Sequence, residues 1–105
     1  MSAEPTYIVE ISDAALAMLD SHVDFLAGVS VDAAIKLVDE ILGDIASLSE
    51  NPQRFPVYEN RFIPDNRYRK MLSAKRYLVL YEISNSMVSI DYIVDCRQDY
   101  QWLIR

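Results

Sequence analysis

The stretch Tyr77-Leu-Val-Leu-Tyr-Glu-Ile83, Ser84-Asn-Ser86, Met87-Val-Ser-Ile-Asp-Tyr-Ile-Val94 decides the fold class. Its two flanking runs are rich in branched and aromatic residues, which suit a pleated, half-buried surface. The Ser-Asn-Ser between them is turn chemistry. The stretch therefore reads as a β-hairpin. Upstream, Tyr68 to Leu72 is a further strand candidate, and Tyr7-Ile-Val-Glu-Ile11 is another near the start of the chain.

Two helices are expected between the outer strands. Ser12 offers an N-cap and Asp13 suits a first helical turn. Ala15, Leu16, Leu19, Val23 and Leu26 then recur at helical spacing. Gly28 ends that helix, and Ser30 caps the next. In the second helix Val31, Ala34, Ile35, Val38, Ile41, Leu42, Ile45 and Leu48 make a stripe at steps of three and four, with Asp32, Asp39, Glu40 and Asp44 away from it. Asn51-Pro52 stops the helix. Residues 52–66 hold three prolines and three aromatics with no period, which predicts an ordered loop or short irregular strand. The expected fold is α+β, in the order β-α-α-β-β-β. A helical hairpin packs on one face of a small, mostly antiparallel sheet, because its apolar stripe needs a cover. Asp99 to Ile104 would add a short helix or a last strand.

Composition narrows the function classes. The 105 residues suit one domain, with 51% apolar and 25% charged side chains. The single cysteine, Cys96, argues against a disulfide scaffold and fits a reducing, cytoplasmic setting. It has no second cysteine or nearby histidine for a metal, so burial at a strand end is its expected role. Met1 to Tyr7 lacks a basic start and an apolar core, so no signal peptide is expected. No apolar run approaches the roughly 20 residues of a membrane span. Two glycines, Gly28 and Gly43, exclude a glycine-rich phosphate loop.

The charge is divided unevenly. Residues 1–53 carry ten acids and one base, Lys36, for a net −9. Residues 54–105 carry nine bases and six acids, for a net +3. Such asymmetry fits two partners on two surfaces, or simply a pair of solvated acidic helices.

Four pieces of wording, spread over nearly the whole chain, resemble the RelE/ParE family of toxins from type II toxin–antitoxin systems. They are the strand leading into Ser12-Asp13-Ala14-Ala15, and Leu48-Ser-Glu-Asn-Pro-Gln-Arg-Phe-Pro56. The others are Tyr68-Arg-Lys-Met-Leu72 with Lys75-Arg-Tyr-Leu-Val-Leu-Tyr81, and Ile93-Val-Asp-Cys-Arg-Gln-Asp-Tyr100 with Leu103. The resemblance implies a compact toxin neutralised by an antitoxin, whose disordered segment folds on binding. Ribonuclease members cut messenger RNA on the ribosome, whereas ParE-like members poison DNA gyrase.

Cleavage by this fold needs no metal or other cofactor. The ribose 2′-hydroxyl attacks its own phosphate, while the protein moves protons and stabilises charge on phosphorus. By resemblance, Arg69 is a candidate for phosphate or RNA-backbone contact, or is a solvated strand arginine. Arg97 could stabilise the transition state, or pair with Asp95 or Asp99. Tyr100 could transfer a proton or stack on a base, or pack on the core edge. Asp99 stands where some members carry a histidine. Arg67, Lys70, Lys75 and Arg76 are candidate RNA contacts. His22, the one histidine, reads as structural or surface, and Trp102 as a core cap or partner anchor. One departure stands out. Cleaving members carry an important arginine second in the aromatic-arginine-aliphatic-aliphatic-tyrosine strand, and here Leu78 takes that place. Arg76, two residues earlier, would point to the same face.

The concentration of bases in the hairpin and C-terminal region favours a messenger RNA endonuclease. The alternatives are a gyrase inhibitor acting by binding, which accommodates Leu78, and a degenerate member that only binds its antitoxin.

Overall fold

Local chemistry sets the helices where the sequence predicts them. In the computed structural model, which describes residues 6–59 and 67–96, the Ser12 side chain accepts from Ala15 N–H and opens α1, Asp13–Ala27. Ser30 does the same for α2, Val31–Ala46, through Ala33 N–H. Each cap satisfies one of the amides that a helix start leaves without a partner. Past Ala46 the chain tightens into a 3-10 turn, Ser47–Ser49, and Asn51 turns left-handed at φ 49° ahead of a second one, Pro52–Arg54.

The strands are β1 Ile8–Ile11, β2 Arg69–Ser73, β3 Tyr77–Ser84 and β4 Met87–Asp95. They form one sheet in the order β1-β4-β3-β2. The β2–β3 and β3–β4 pairs are antiparallel, and only β1 runs parallel to its neighbour, β4. The structure thus has the expected α+β architecture and element order, with the helical hairpin on one face. Val57 bridges antiparallel to Arg69, so the irregular segment after α2 extends the β2 side of the sheet.

The core lies between the hairpin and that face. Leu19, Leu37, Ile41 and Ile45 from the helices meet Met71, Val79, Tyr81, Val88, Ile90 and Ile93 from the sheet. Ser73, also buried, donates to Asp44 at 2.7 Å and ties β2 to α2.

Three features differ from the sequence reading. The phase of α2 is rotated: Leu37 is buried, while Val31, Ile35 and Leu42 are 63%, 55% and 39% exposed. Leu16 of α1 is also exposed. These positions share a broad apolar stripe wider than the sheet can cover, so one margin faces out. Cys96 is exposed and not buried, because β4 ends at Asp95 and leaves it on a turn. Finally, β4 carries a bulge. Leu80 pairs with Tyr92 but Tyr81 pairs with Ile90, which makes Asp91 the extra residue. A bulge shifts the two-residue alternation. Val88 and Ile90 face the helices before it and Ile93 after it, while Tyr92 and Val94 join the opposite face.

Candidate functional site

Because side chains alternate along a strand, β2 sorts its cations by face. Arg69 faces the helices with Met71 and Ser73; Lys70 and Leu72 face the other way with Tyr68. Arg69 lies beside the irregular segment, and its Nη1 donates to the carbonyls of Gln53 at 3.1 Å and Phe55 at 2.6 Å. Tyr81, the neighbour of Arg69 across the ladder, donates its hydroxyl to Pro52 O at 2.6 Å. Burial pushes the Tyr81 hydroxyl up to about 12, since an apolar surrounding penalises the phenolate.

Arg54 completes this arrangement. Its Nη1 reaches the carbonyls of Ser47, Glu50 and Asn51, its Nη2 donates to Ser47 Oγ, and its guanidinium lies over the Phe55 ring. Three side chains thus bond six backbone carbonyls between Ser47 and Phe55. Sequence reasoning did not single out Arg54 or Tyr81 for this task. The available signal was Asn51-Pro52, which breaks the helix and leaves carbonyls that need donors.

The opposite face of the sheet has a different character. Tyr68, Leu78, Leu80 and Val94 are buried there, with Met18, Tyr58 and Tyr92 packed against them. Leu78 is 7% exposed, so its side chain belongs to the core of this face. Tyr68 donates to Asp91 at 2.7 Å and stands edge-on to Tyr92. Burial, followed by the bond to Asp91, raises the Tyr68 hydroxyl well above the ordinary tyrosine range. The pairing depends on the bulge, which is why sequence periodicity did not reveal it. Arg67 lies over the Tyr68 ring and pairs with Glu82 at 3.6 Å. Lys70 and Leu72 are exposed on this face.

The remaining candidates are dispersed. Lys75 is exposed in the β2–β3 turn, where Ala74 and Lys75 both take left-handed conformations, φ 51° and 69°. Arg76 does not share the face of Leu78. It lies in the turn, where its guanidinium covers the Tyr77 ring and donates to the Tyr77 hydroxyl at 3.0 Å. His22 bonds through Nε2 to Ile93 O at 2.8 Å, on the part of β4 beyond the reach of β1. A carbonyl only accepts, so Nε2 carries the proton. Arg97, Asp99, Tyr100 and Trp102 lie outside the described residues. Among the described residues, no three of His, Cys, Asp and Glu gather as a metal site, and no helix is long and apolar enough to cross a membrane.

Comparisons with known proteins give two findings. The family described as the ParE toxin of the type II toxin–antitoxin system, parDE, matches residues 9–100. A structure titled as a chromosomal ParDE system from P. aeruginosa matches with a TM-score of 0.72 and 15% identity, over 88% of this chain and 98% of that one. At that identity the second likeness concerns the fold. No curated protein sequence matches.

Proposed function

Since the chain belongs to the ParE toxin family, we propose that it is a toxin that acts by binding DNA gyrase, with its antitoxin as the neutralising partner. One observation carries the choice of gyrase over RNA. Of the two strand positions from which cleaving members would be expected to reach phosphate, one carries no charge here and the other is held by the fold. Leu78 is in the core, and Nη1 of Arg69 is engaged by the carbonyls of Gln53 and Phe55. A buried leucine has nothing to give a phosphate, and withdrawing Arg69 would strip two carbonyls of their donor. Inhibition by binding requires neither residue at the target. In this reading Arg69 holds the loop, and the target is met by the face that carries Arg67, Lys70 and Leu72.

The second reading, a metal-independent messenger RNA endonuclease, draws on the same face. Arg67 lies over Tyr68, which stands edge-on to Tyr92 and donates its hydroxyl to the Asp91 carboxylate. Aromatics and cations together suit single-stranded RNA. Arg97 and Tyr100 would have to supply the chemistry.

The test is to induce this chain alone and follow RNA integrity and plasmid supercoiling in the same cells. The gyrase reading expects relaxed or broken DNA with intact transcripts. Cut transcripts with normal supercoiling would reverse the order of the two readings. No growth arrest at all would leave a member that only binds its antitoxin.

A further inference from the structure

The end of the helical hairpin, where α1 turns into α2, is apolar and faces out. Phe25, Val29 and Val31 are 73%, 77% and 63% exposed, and no other large apolar side chain among the described residues is as exposed. The backbone beneath them is fixed. Gly28 N–H donates to Asp24 O, and the amides of Val29 and Ser30 both donate to Leu26 O, at 2.9 and 2.8 Å. The Ser30 hydroxyl caps α2, and Leu26 packs against the core. A loose loop would lose freedom on binding, whereas this turn already holds its three side chains in place. Large apolar side chains gathered in solvent at one point mark a contact surface. Acids border them: Asp24 precedes Phe25, Asp32 follows Val31, and both are exposed, as is Asp20 one turn earlier.

We propose that this tip is a second contact with gyrase, and that it enters an apolar pocket with a basic rim on that enzyme. This rests on the gyrase reading above and names the chemistry of the surface that is met. Phe25 and Val29 fill the pocket, and Asp24 and Asp32 meet lysines or arginines at its border. A few anchors seated in a dry pocket carry most of the binding energy of an interface, and the groups around them exclude water. Charge selects the occupant. The tip lies in residues 1–53, which carry a net −9 with Lys36 as their one base. A second copy of the tip would oppose like charges, and a nucleic-acid backbone would be repelled in the same way. An enzyme that holds DNA must itself carry cations to neutralise phosphates, so a basic rim is within its means. The face with Arg67 and Lys70 has the opposite sign. Two contacts of opposite sign on one target fix the orientation of the chain as well as its affinity.

The test titrates purified gyrase with the full chain, reading binding by fluorescence anisotropy and inhibition by supercoiling. Phe25→Ser and Val29→Ser each weaken binding about tenfold, as loss of an interface anchor does. Both side chains are mostly in solvent, so the melting temperature of each variant stays that of the parent and shows that it folds. Leu16→Ser, at an exposed apolar position on the same helix but away from the turn, binds as the parent does. Asp24→Asn with Asp32→Asn weakens binding severalfold and makes it less sensitive to salt. Parental affinity in both serine variants overturns the proposal, and so does an equal loss in Leu16→Ser, which would mean diffuse apolar adhesion. A dimer in sedimentation that Phe25→Ser dissolves also overturns it, since a second copy would then cover the tip. The failures of the two readings differ. Supercoiling inhibited equally by parent and serine variants sinks the tip contact alone. Binding that depends on Phe25 without any inhibition sinks the gyrase-inhibitor reading alone, and no binding by the parent removes both.

Discussion

The two faces of the sheet use charge in opposite ways. On the helix-covered face the polar groups are tied into the fold: Arg69 holds the carbonyls of Gln53 and Phe55, Tyr81 holds Pro52, and Ser73 holds Asp44. On the other face Arg67 makes an exposed pair with Glu82, and Lys70 stands in solvent. Arg69 and Lys70 are adjacent in sequence and equally basic, yet one is a structural fastener and the other is available to a partner. The alternation of the strand separates them, and the helix-breaking segment beside β2 supplies the carbonyls that capture Arg69. Position in the chain therefore says less about function than the acceptors within reach.

The largest loss of stability should follow removal of Arg69. Arg69→Met leaves two carbonyls without a charged donor, and should cost roughly 3 kcal/mol by urea unfolding. A variant as stable as the parent would mean that the loop does not depend on this residue.

Tyr81→Phe should cost less, about 1 to 2 kcal/mol near neutral pH, because one neutral donor is lost from a buried carbonyl. It also carries a pH signature. The folded hydroxyl titrates near 12 while the unfolded one titrates near its ordinary value of 10. The unfolded chain therefore gives up its proton first, and stability contributed by this group is complete below pH 10 and lost as pH rises toward 12. The slope from one such group is about 1.4 kcal/mol per pH unit. Tyr68, raised in the same direction, adds to the loss. Unfolding between pH 9 and 12 should be less steep in Tyr81→Phe than in the parent; identical slopes would remove Tyr81 from the account.

The β2–β3 turn sharpens the contrast from the other side. Ala74 and Lys75 hold left-handed conformations that a Cβ disfavours. Lys75→Gly should stabilise the chain by about 1 kcal/mol, provided the turn is not otherwise engaged. A destabilised glycine variant would show that the lysine stem packs in a way that offsets its backbone strain.

The smallest effect on the fold is expected where the effect on the target is largest. Arg67→Ala with Lys70→Ala should leave the melting temperature unchanged, since exposed ion pairs contribute little. The same double variant should weaken gyrase inhibition at least tenfold. Undiminished inhibition would move the target-binding surface elsewhere.

The architecture was legible in the sequence because its signals are local. Ser12 and Ser30 cap the helices they precede, and Asn85, left-handed at φ 56°, makes the turn that Ser84-Asn85-Ser86 announces. What escaped depends on contacts made at a distance. Asp91 reads as one more residue of an alternating strand until β3 fixes the register and leaves it as a bulge. The stripe read from the sequence includes Ile35 and omits Leu37, and the sheet reverses the two by covering the other side of a wide apolar surface. Arg76 matches the parity of Leu78, but a turn conformation and the ring of Tyr77 redirect it. The same limit applied to Arg69, whose acceptors lie 14 and 16 residues away in the chain.

The proposed action is binding to gyrase, in place of cutting RNA. Its most direct test is a supercoiling assay with purified gyrase, titrated with the purified chain, beside a translating extract that receives the same preparation. The account predicts dose-dependent loss of supercoiling with full-length messenger RNA throughout. Normal supercoiling together with cleaved messenger RNA would contradict it.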